Sequence, residues 1–439
     1  MSEVKVVKFG GSSVADAIQL TKVKAIIDAD PARRYVVVSA PGKRYDGDNK
    51  VTDLLYLCKA QLENNIGCEQ VFQVIGDRYK AIEVNLGVDC DMKDELDTIY
   101  KKLVNGGSKD FIASRGEYLL AKVFAAFLGY DFVDAAGLVS FDAKGRFLEE
   151  ETNERLAAEL AKHDRAVIPG FYGTLPDGEI HTFSRGGSDI TGAIVARAVK
   201  ADVYENWTDV SGFLMADPRI VKNPKPIDRI TYSELRELSY MGASVLHEDA
   251  IFPARAANIP INIRNTNDPS NPGTTIVAEV AEKSDKIITG ISGKKDFVTI
   301  SIAKNTMNNE VGFIRRILSV FESYNVSIEH LPSGIDTLSV VCDKKYVEDC
   351  LQDIVEEIDR KYKPDSIVVH DDIALIATVG RGMSSRPGTS AKLFGALAKA
   401  GINIRMIDQG SSEMNIIVGV DNNDYKEAIR AIYSEFVEQ

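Results

Sequence analysis

The stretch Lys5-Val6-Val7-Lys8-Phe9-Gly10-Gly11-Ser12-Ser13 reads as a buried strand that runs into a glycine turn and then into an amphipathic segment. A turn at a strand end that opens onto a helix N-terminus gathers backbone N–H groups and the positive end of a helix dipole, where an anion such as phosphate can sit. Glycines let the anion come close, and Lys8 adds a full positive charge. The alternation continues along the chain. Short β-branched runs at VKVVKFG, RRYVVVSAPG, YDFVDAAGLVS, RAVIPGFYG, ADVYENWTDVSG and IPINIRN are separated by helical patterns as far as residue 282. Strands alternating with helices make a largely parallel sheet covered on both faces, and ligands of such sheets collect at the carboxyl ends of the strands.

A second glycine cluster, Arg185-Gly186-Gly187-Ser188-Asp189, adds a guanidinium and a carboxylate that a phosphate site alone would lack. Between the two clusters, SRGEYLLAKVFAAFLGY places Leu120, Val123, Phe124 and Phe127 on one helical stripe. Ser114 is the expected N-cap, Gly129 the expected stop, and Glu117 then falls in the first turn.

A chain of 439 residues forms two or more domains, because single cores stop growing at about 250–300 residues. The formal net charge of −13, with no basic block, argues against nucleic acid as the main partner. No apolar run approaches the roughly 20 residues needed to span a bilayer, and no signal-peptide core opens the chain, so the expected location is the cytoplasm. The five cysteines lack C-x-x-C spacing and the five histidines lack ligand spacing, so no protein-held metal is expected.

Asp268 to Gly273, DPSNPG, marks a boundary beyond which the pattern changes. A constant offset pairs Met307 with Met383, Gly312 with Gly388, Val326 with Ile402, Ile328 with Ile404 and Gly334 with Gly410, the signature of an internal repeat. Each copy reads strand, helix, strand, strand, helix. The first contains FVTISIA, GFIRRILSVFESY, VSIEHLP, TLSVVCD and YVEDCLQDIVEEI and adds SIVVHD as its last strand. The second contains IALIATVG, SAKLFGALAKAG, INIRMID, MNIIVGVD and YKEAIRAIYSEF and runs out of chain before its own last strand. The orphan strand KIITGIS can supply it, which makes the first copy an insertion in the second. The expected division is therefore 1–282 for the α/β domain, 297–370 for the inserted repeat, and 283–296 with 371–439 for the other.

P-loop and protein-kinase motifs are missing, yet phosphoryl transfer can be assembled from other parts: amide donors, a cation for the developing charge, Mg²⁺ and an aligned acceptor. Gly10, Gly11 and Ser12 would cradle the phosphoryl group, Lys8 would neutralise its oxygens, and Ser39 at the end of YVVVS would add a donor. For a small amino-acid acceptor, Arg185 offers a fork for a carboxylate, while Glu117 and Asp189 offer negative charge for an ammonium. Each feature alone has a bland reading: a tight turn, a surface ion pair, a first-turn charge. Their joint placement at strand ends of one sheet favours function.

KFGGSSVAD at 8–16, VVVSA at 36–40, SRGE at 114–117, SRGGSDITG at 184–192, WTDVSGFLMADPR at 207–219 and MGASVLH at 241–247 together resemble the aspartate kinases of the amino-acid kinase superfamily, over nearly the whole chain. The repeated units resemble the paired ACT domains of those enzymes. The resemblance implies a three-layer α/β/α domain followed by two ferredoxin-like βαββαβ ACT domains. It implies transfer of the ATP γ-phosphoryl group, with Mg²⁺ held through phosphates and water, to the β-carboxylate of L-aspartate, the first step toward lysine, threonine, methionine and diaminopimelate. By motif, Lys8, Gly10, Gly11 and Ser12 match the phosphate cradle. Ser39, Thr52, Glu117, Arg185 and Asp189 match the aspartate site, with Lys8 and Asp189 as the catalytic pair, and Thr208, Asp209 and Arg219 match nucleotide-holding positions. Ser244 and Leu214 depart from the family pattern, where lysine and tyrosine are frequent, and both fall on the nucleotide side. In the first ACT copy Met307, Gly312, Phe313, Ser333 and Asp336 match an effector stretch, with lysine, alone or with threonine, as the leading effector. Assembly as a homodimer or dimer of dimers through ACT sheets follows from the same resemblance. Two other readings stay open: a kinase for glutamate or a uridine nucleotide, and a non-catalytic amino-acid sensor.

Overall fold

The computed structural model describes residues 3–184, 186–243, 248–280, 286–384 and 386–438. Arg185, Ser244 and the expected boundary after residue 282 lie outside them. The chain divides into two compact units: Met1–Phe213 with Asp228–Tyr232 and Val245–Val280, and Leu214–Ile227 with Ser233–Ser244 and Ala281–Gln439.

The first unit is built on strands β1 (Lys5–Phe9), β2 (Arg33–Val38), β3 (Asp131–Phe132), β4 (Ala166–Pro169), β7 (Val203–Thr208), β8 (Arg229–Thr231), β9 (Ile261–Asn265) and β10 (Thr274–Val277), in the order β3-β4-β2-β1-β7-β9-β10-β8. A two-stranded hairpin, β5 (Tyr172–Thr174) with β6 (Ile180–Thr182), stands apart. All pairings in the large sheet are parallel except β9 with β10, as the alternating pattern requires. β1 lies between β2 and β7, and its near-continuous apolar run is what burial on both faces demands. The faces are populated by alternation. Val7, Phe9, Val36, Val38 and Trp207 join one core with the helices Ala17–Asp28 through Lys109–Leu128. Lys8 and Asn206 point the other way, toward the helix Gly187–Ala198, whose Asp189 they both contact. Glu205, buried within β7, is held by Arg33 at 2.8 Å and by the Trp207 indole at 2.8 Å, which accounts for a charge inside a central strand.

Three local expectations need correction. The glycine turn opens first onto a 3-10 turn, Gly11–Val14; the helix Ala17–Asp28 starts later with Asp16 as its side-chain cap. Ser114 caps nothing. Ser108 caps the helix Lys109–Leu128 by accepting from the Phe111 amide at 3.1 Å, because the helix begins five residues before Ser114, and this places Glu117 in its interior. YDFVDAAGLVS contributes only the two-residue β3.

In the second unit, β11 (Gly290–Ala303), β12 (Thr337–Asp343), β13 (Ser366–Val379), β14 (Met406–Asp408) and β15 (Asn415–Asp421) form one antiparallel sheet ordered β12-β11-β13-β15-β14. KIITGIS runs on into FVTISIA and SIVVHD into IALIATVG, so four expected strands are two long ones. Gly290 to Lys294 pairs with Val379 to Leu375, and Phe297 to Ala303 pairs with Ile373 to Ser366. VSIEHLP forms no regular strand; His330 makes only an isolated bridge to Val341.

Candidate active site

The parallel strands deliver their carboxyl ends to one edge of the first unit, where Gly10 follows β1, Ser39 follows β2, Gly170 follows β4 and Asp209 follows β7. Gly10 donates its N–H to the Trp207 carbonyl at 2.9 Å, so its amide is already engaged. The donors left to an anion are the amides that open the 3-10 turn, at Gly11 and Ser12, because first-turn N–H groups have no intrahelical acceptor. Ser12 is exposed and Ser39 half-buried. A glycine is required at Gly42, where a Cβ would stand 2.6 Å from the Gly11 carbonyl carbon; the Gly42 amide donates to the Gly11 carbonyl at 2.8 Å. Gly170 is equally constrained, with a Cβ there falling 2.7 Å from that of Ser188.

Lys8 is 6% exposed, and its Nζ lies 2.5 Å from Asp189 Oδ1 in the first turn of the Gly187–Ala198 helix. Thus residues far apart in sequence meet at one point. Asp189 also accepts from Asn206 Nδ2 at 2.9 Å, and its backbone carbonyl accepts from the Tyr204 hydroxyl at 3.1 Å.

Glu117 is 5% exposed, and burial pushes its carboxyl up to about 8 against the opposing pull of the Ala40 amide and of the Arg115 and Lys8 charges. Its Oε2 has no hydrogen-bond partner among the described residues. A buried carboxyl with one unpartnered oxygen has the capacity to accept a further hydrogen bond. Thr52 is the second residue of the helix Val51–Glu63 and half-buried.

Sequence reasoning missed Arg78. Its guanidinium, 5% exposed, donates to the carbonyls of Asn49 at 2.9 Å, of Ala15 at 3.1 Å and of Gly42, and lies 3.6 Å from Asp48. One side chain therefore ties together the segment after the glycine turn, the segment after β2 and the entry to the Val51–Glu63 helix. The polar run KRYDGDNK serves the same end, since Arg44 grips Asp48 with two bonds of 2.8 and 2.9 Å and holds its carboxyl well below the usual range. No spacing rule reveals this, because the arginine sits in a helix far from any glycine motif. Replacing Arg78 with methionine strands three carbonyls. The expected cost is about 2–4 kcal/mol by denaturant melting, together with a weaker KM for both substrates.

Thr208 ends β7 and Asp209 follows it, with the Thr208 hydroxyl 3.1 Å from Asp209 Oδ1. Arg219 belongs to the second unit, where it pairs with Asp217 at 2.6 Å, and Leu214 is 37% exposed. Among the described residues no group of three or more His, Cys, Asp or Glu could hold a metal on side chains alone, and no helix is long and apolar enough to cross a membrane. In the second unit Met307 and Phe313 are buried in the core, Asp336 Oδ1 accepts from the Met307 amide at 3.2 Å, Gly312 caps the helix Phe313–Ser323 in the left-handed region, and Ser333 is exposed.

The amino acid kinase family model matches residues 3–265. Aspartokinase 3 of Bacillus subtilis is 39% identical over 448 residues, spanning 99% of this chain and 98% of that one. The chain belongs to the amino acid kinase family, among its aspartate kinases. An ACT domain model matches residues 376–436. The crystal structure of the Clostridium acetobutylicum aspartate kinase, described as allosteric, superposes with a TM-score of 0.92 at 51% identity, covering 99% of this chain and 100% of that one. Aspartokinase III of Escherichia coli, solved with aspartate and ADP, gives 0.75 at 25% identity with full coverage of both chains.

Proposed function

We propose that this aspartate kinase transfers the γ-phosphoryl group of ATP to the β-carboxylate of L-aspartate through the edge that carries Lys8, Glu117 and Asp189. The product, 4-phospho-L-aspartate, would feed lysine, threonine, methionine and diaminopimelate synthesis in the cytoplasm. The observation that most supports this reading is the 2.5 Å pairing of Lys8 with Asp189, a cation and an anion side by side next to the glycine turn. In this reading Gly10, Gly11 and Ser12 shape the phosphate cradle. Ser39, Thr52, Glu117, Arg185 and Asp189 hold aspartate, and Thr208, Asp209 and Arg219 serve the nucleotide. Mg²⁺ arriving with the nucleotide would supply further neutralising charge to the transferring group. A carboxylate needs no strong base to attack phosphorus, so positioning and electrostatics supply the rate.

Hydroxylamine trapping of the acyl phosphate tests the acceptor. Aspartyl hydroxamate should accumulate with L-aspartate and ATP, while L-glutamate should give no hydroxamate and UMP no ADP release above background. Equal turnover with glutamate would defeat the assignment.

The regulatory part of the proposal assigns residues 297–370 and 283–296 with 371–439 to two ACT units, and an amino-acid effector, lysine first, to the first of them at Met307, Gly312, Phe313, Ser333 and Asp336. Burial of Met307 and Phe313 leaves the backbone of that stretch, Ser333 and Asp336 as the polar groups a ligand would meet. Val311, Ile335 and Leu331, apolar side chains within two residues of Gly312 or Ser333, are 95%, 72% and 38% exposed, which supports cover of this stretch by a second copy of the chain. An effector acts by binding one state better than another. Added lysine should therefore lower activity and raise the melting temperature; a titration that moves neither removes lysine from the account.

A further inference from the structure

Asn206 is an amide inside a central parallel strand, 3% exposed, where such strands otherwise carry apolar side chains. Burying an amide there is unfavourable unless it is hydrogen-bonded. Its Nδ2 donates to the carboxylate of Asp189 at 2.9 Å, with a longer contact to the Tyr204 hydroxyl at 3.5 Å. β1 and β7 run parallel with Lys8 and Asn206 as direct register partners, so the two side chains stand next to each other on one face. Both converge on the same oxygen, Asp189 Oδ1. The Tyr204 hydroxyl, two residues along β7, donates to the Asp189 carbonyl and fixes the helix turn above them.

We propose that Asn206 is a positioning residue for the acceptor: it anchors Asp189 Oδ1 to the sheet and leaves Oδ2 to the ammonium of the amino-acid substrate. This rests on the reading of Asp189 as part of the aspartate site. An uncharged donor suits the task. It fixes the direction of the carboxylate without neutralising it, whereas a second cation would compete with the substrate's ammonium. It also keeps Asp189 in place when Lys8 directs its remaining N–H groups to phosphoryl oxygens, since an ammonium has three donors and only one is engaged with Asp189.

The test compares Asn206→Leu, which keeps the branched outline and deletes the donor, Asn206→Asp, which keeps the shape and reverses the polarity, and Asp189→Asn as the reference. Steady-state KM for each substrate, kcat and melting temperature are read for all three. In both Asn206 variants the KM for L-aspartate should rise about tenfold or more while the KM for ATP stays within about twofold. The Leu variant should also melt within a few degrees of the parent. An unchanged aspartate KM in the Leu variant, or a parallel rise of both KM values together with a large fall in melting temperature, would overturn the proposal. Asp189→Asn separates the two levels. If it raises the aspartate KM and Asn206→Leu does not, only the positioning role fails; if it leaves the aspartate KM unchanged, the acceptor site itself is wrongly placed.

Discussion

Replacing Lys8 with methionine lowers kcat for phosphoryl transfer by about 10³-fold or more, the scale seen when a charge that meets the transferring group is removed. Lys8 is nearly buried, and its ammonium is paired with Asp189 at 2.5 Å at the end of the central strand. Methionine keeps an unbranched apolar stem on β1, facing the Gly187–Ala198 helix, and deletes the charge, so the fold should survive. Asp189 keeps Asn206 as a donor in the variant. Stopped-time assays with saturating substrates, beside a thermal melt, check both halves. A variant with normal melting and kcat within tenfold of the parent would show that charge on the phosphoryl group is met by another residue.

Glu117→Gln should be the next largest loss. A carboxyl held at about 8 in the folded chain is mostly protonated at neutral pH before substrate arrives. An incoming ammonium favours the ionised form, so aspartate binding near pH 7 should expel a proton. Calorimetry in two buffers of different ionisation enthalpy detects that proton, and Glu117→Gln should abolish it. Losing a charge-assisted bond should also raise the aspartate KM about 10- to 100-fold. Linkage gives a second check on the ligand-free protein. The native state holds a proton that the unfolded chain gives up near the ordinary value of 4.5, so this one group's contribution to stability is greatest below that pH, falls as pH rises toward 8 and levels off beyond it. The Gln variant should lack that contribution to the slope. If binding releases no proton and the variant keeps the parent's slope, Glu117 does not face the ammonium.

Much of the catalytic sheet could be read directly because its signals are local. The apolar run before Gly10 and the glycines after it needed no knowledge of the rest of the chain, and parallel alternation followed from strand and helix patterns. Lys8 and Asp189 could each be named from their motifs, but their shared oxygen with Asn206 depends on the register of β1 against β7, which no single segment encodes. Helix starts were less legible. Ser108 and Ser114 are both acceptable caps, and the choice was made by packing of Phe111 and Ile112 into the core, which extends the helix past Ser114. In the second unit the repeat spacing was visible, whereas the fusion of KIITGIS with FVTISIA and of SIVVHD with IALIATVG is a property of long antiparallel pairing. Arg78 and the Arg33–Glu205–Trp207 cluster stayed hidden for the same reason: their partners are carbonyls and side chains brought near only by folding.

On the proposed reading one edge of the sheet is shared, the glycine turn with Lys8 serving the nucleotide and Asp189 with Glu117 serving the acceptor. A crystal structure of the full chain with L-aspartate and a non-hydrolysable ATP analogue tests this most directly. The γ-phosphate should lie within hydrogen-bond reach of Lys8 Nζ and the Gly11 and Ser12 amides, with the aspartate ammonium against Asp189 and Glu117. An analogue bound with its phosphates away from Lys8, or aspartate bound with its ammonium remote from both carboxylates, would contradict it.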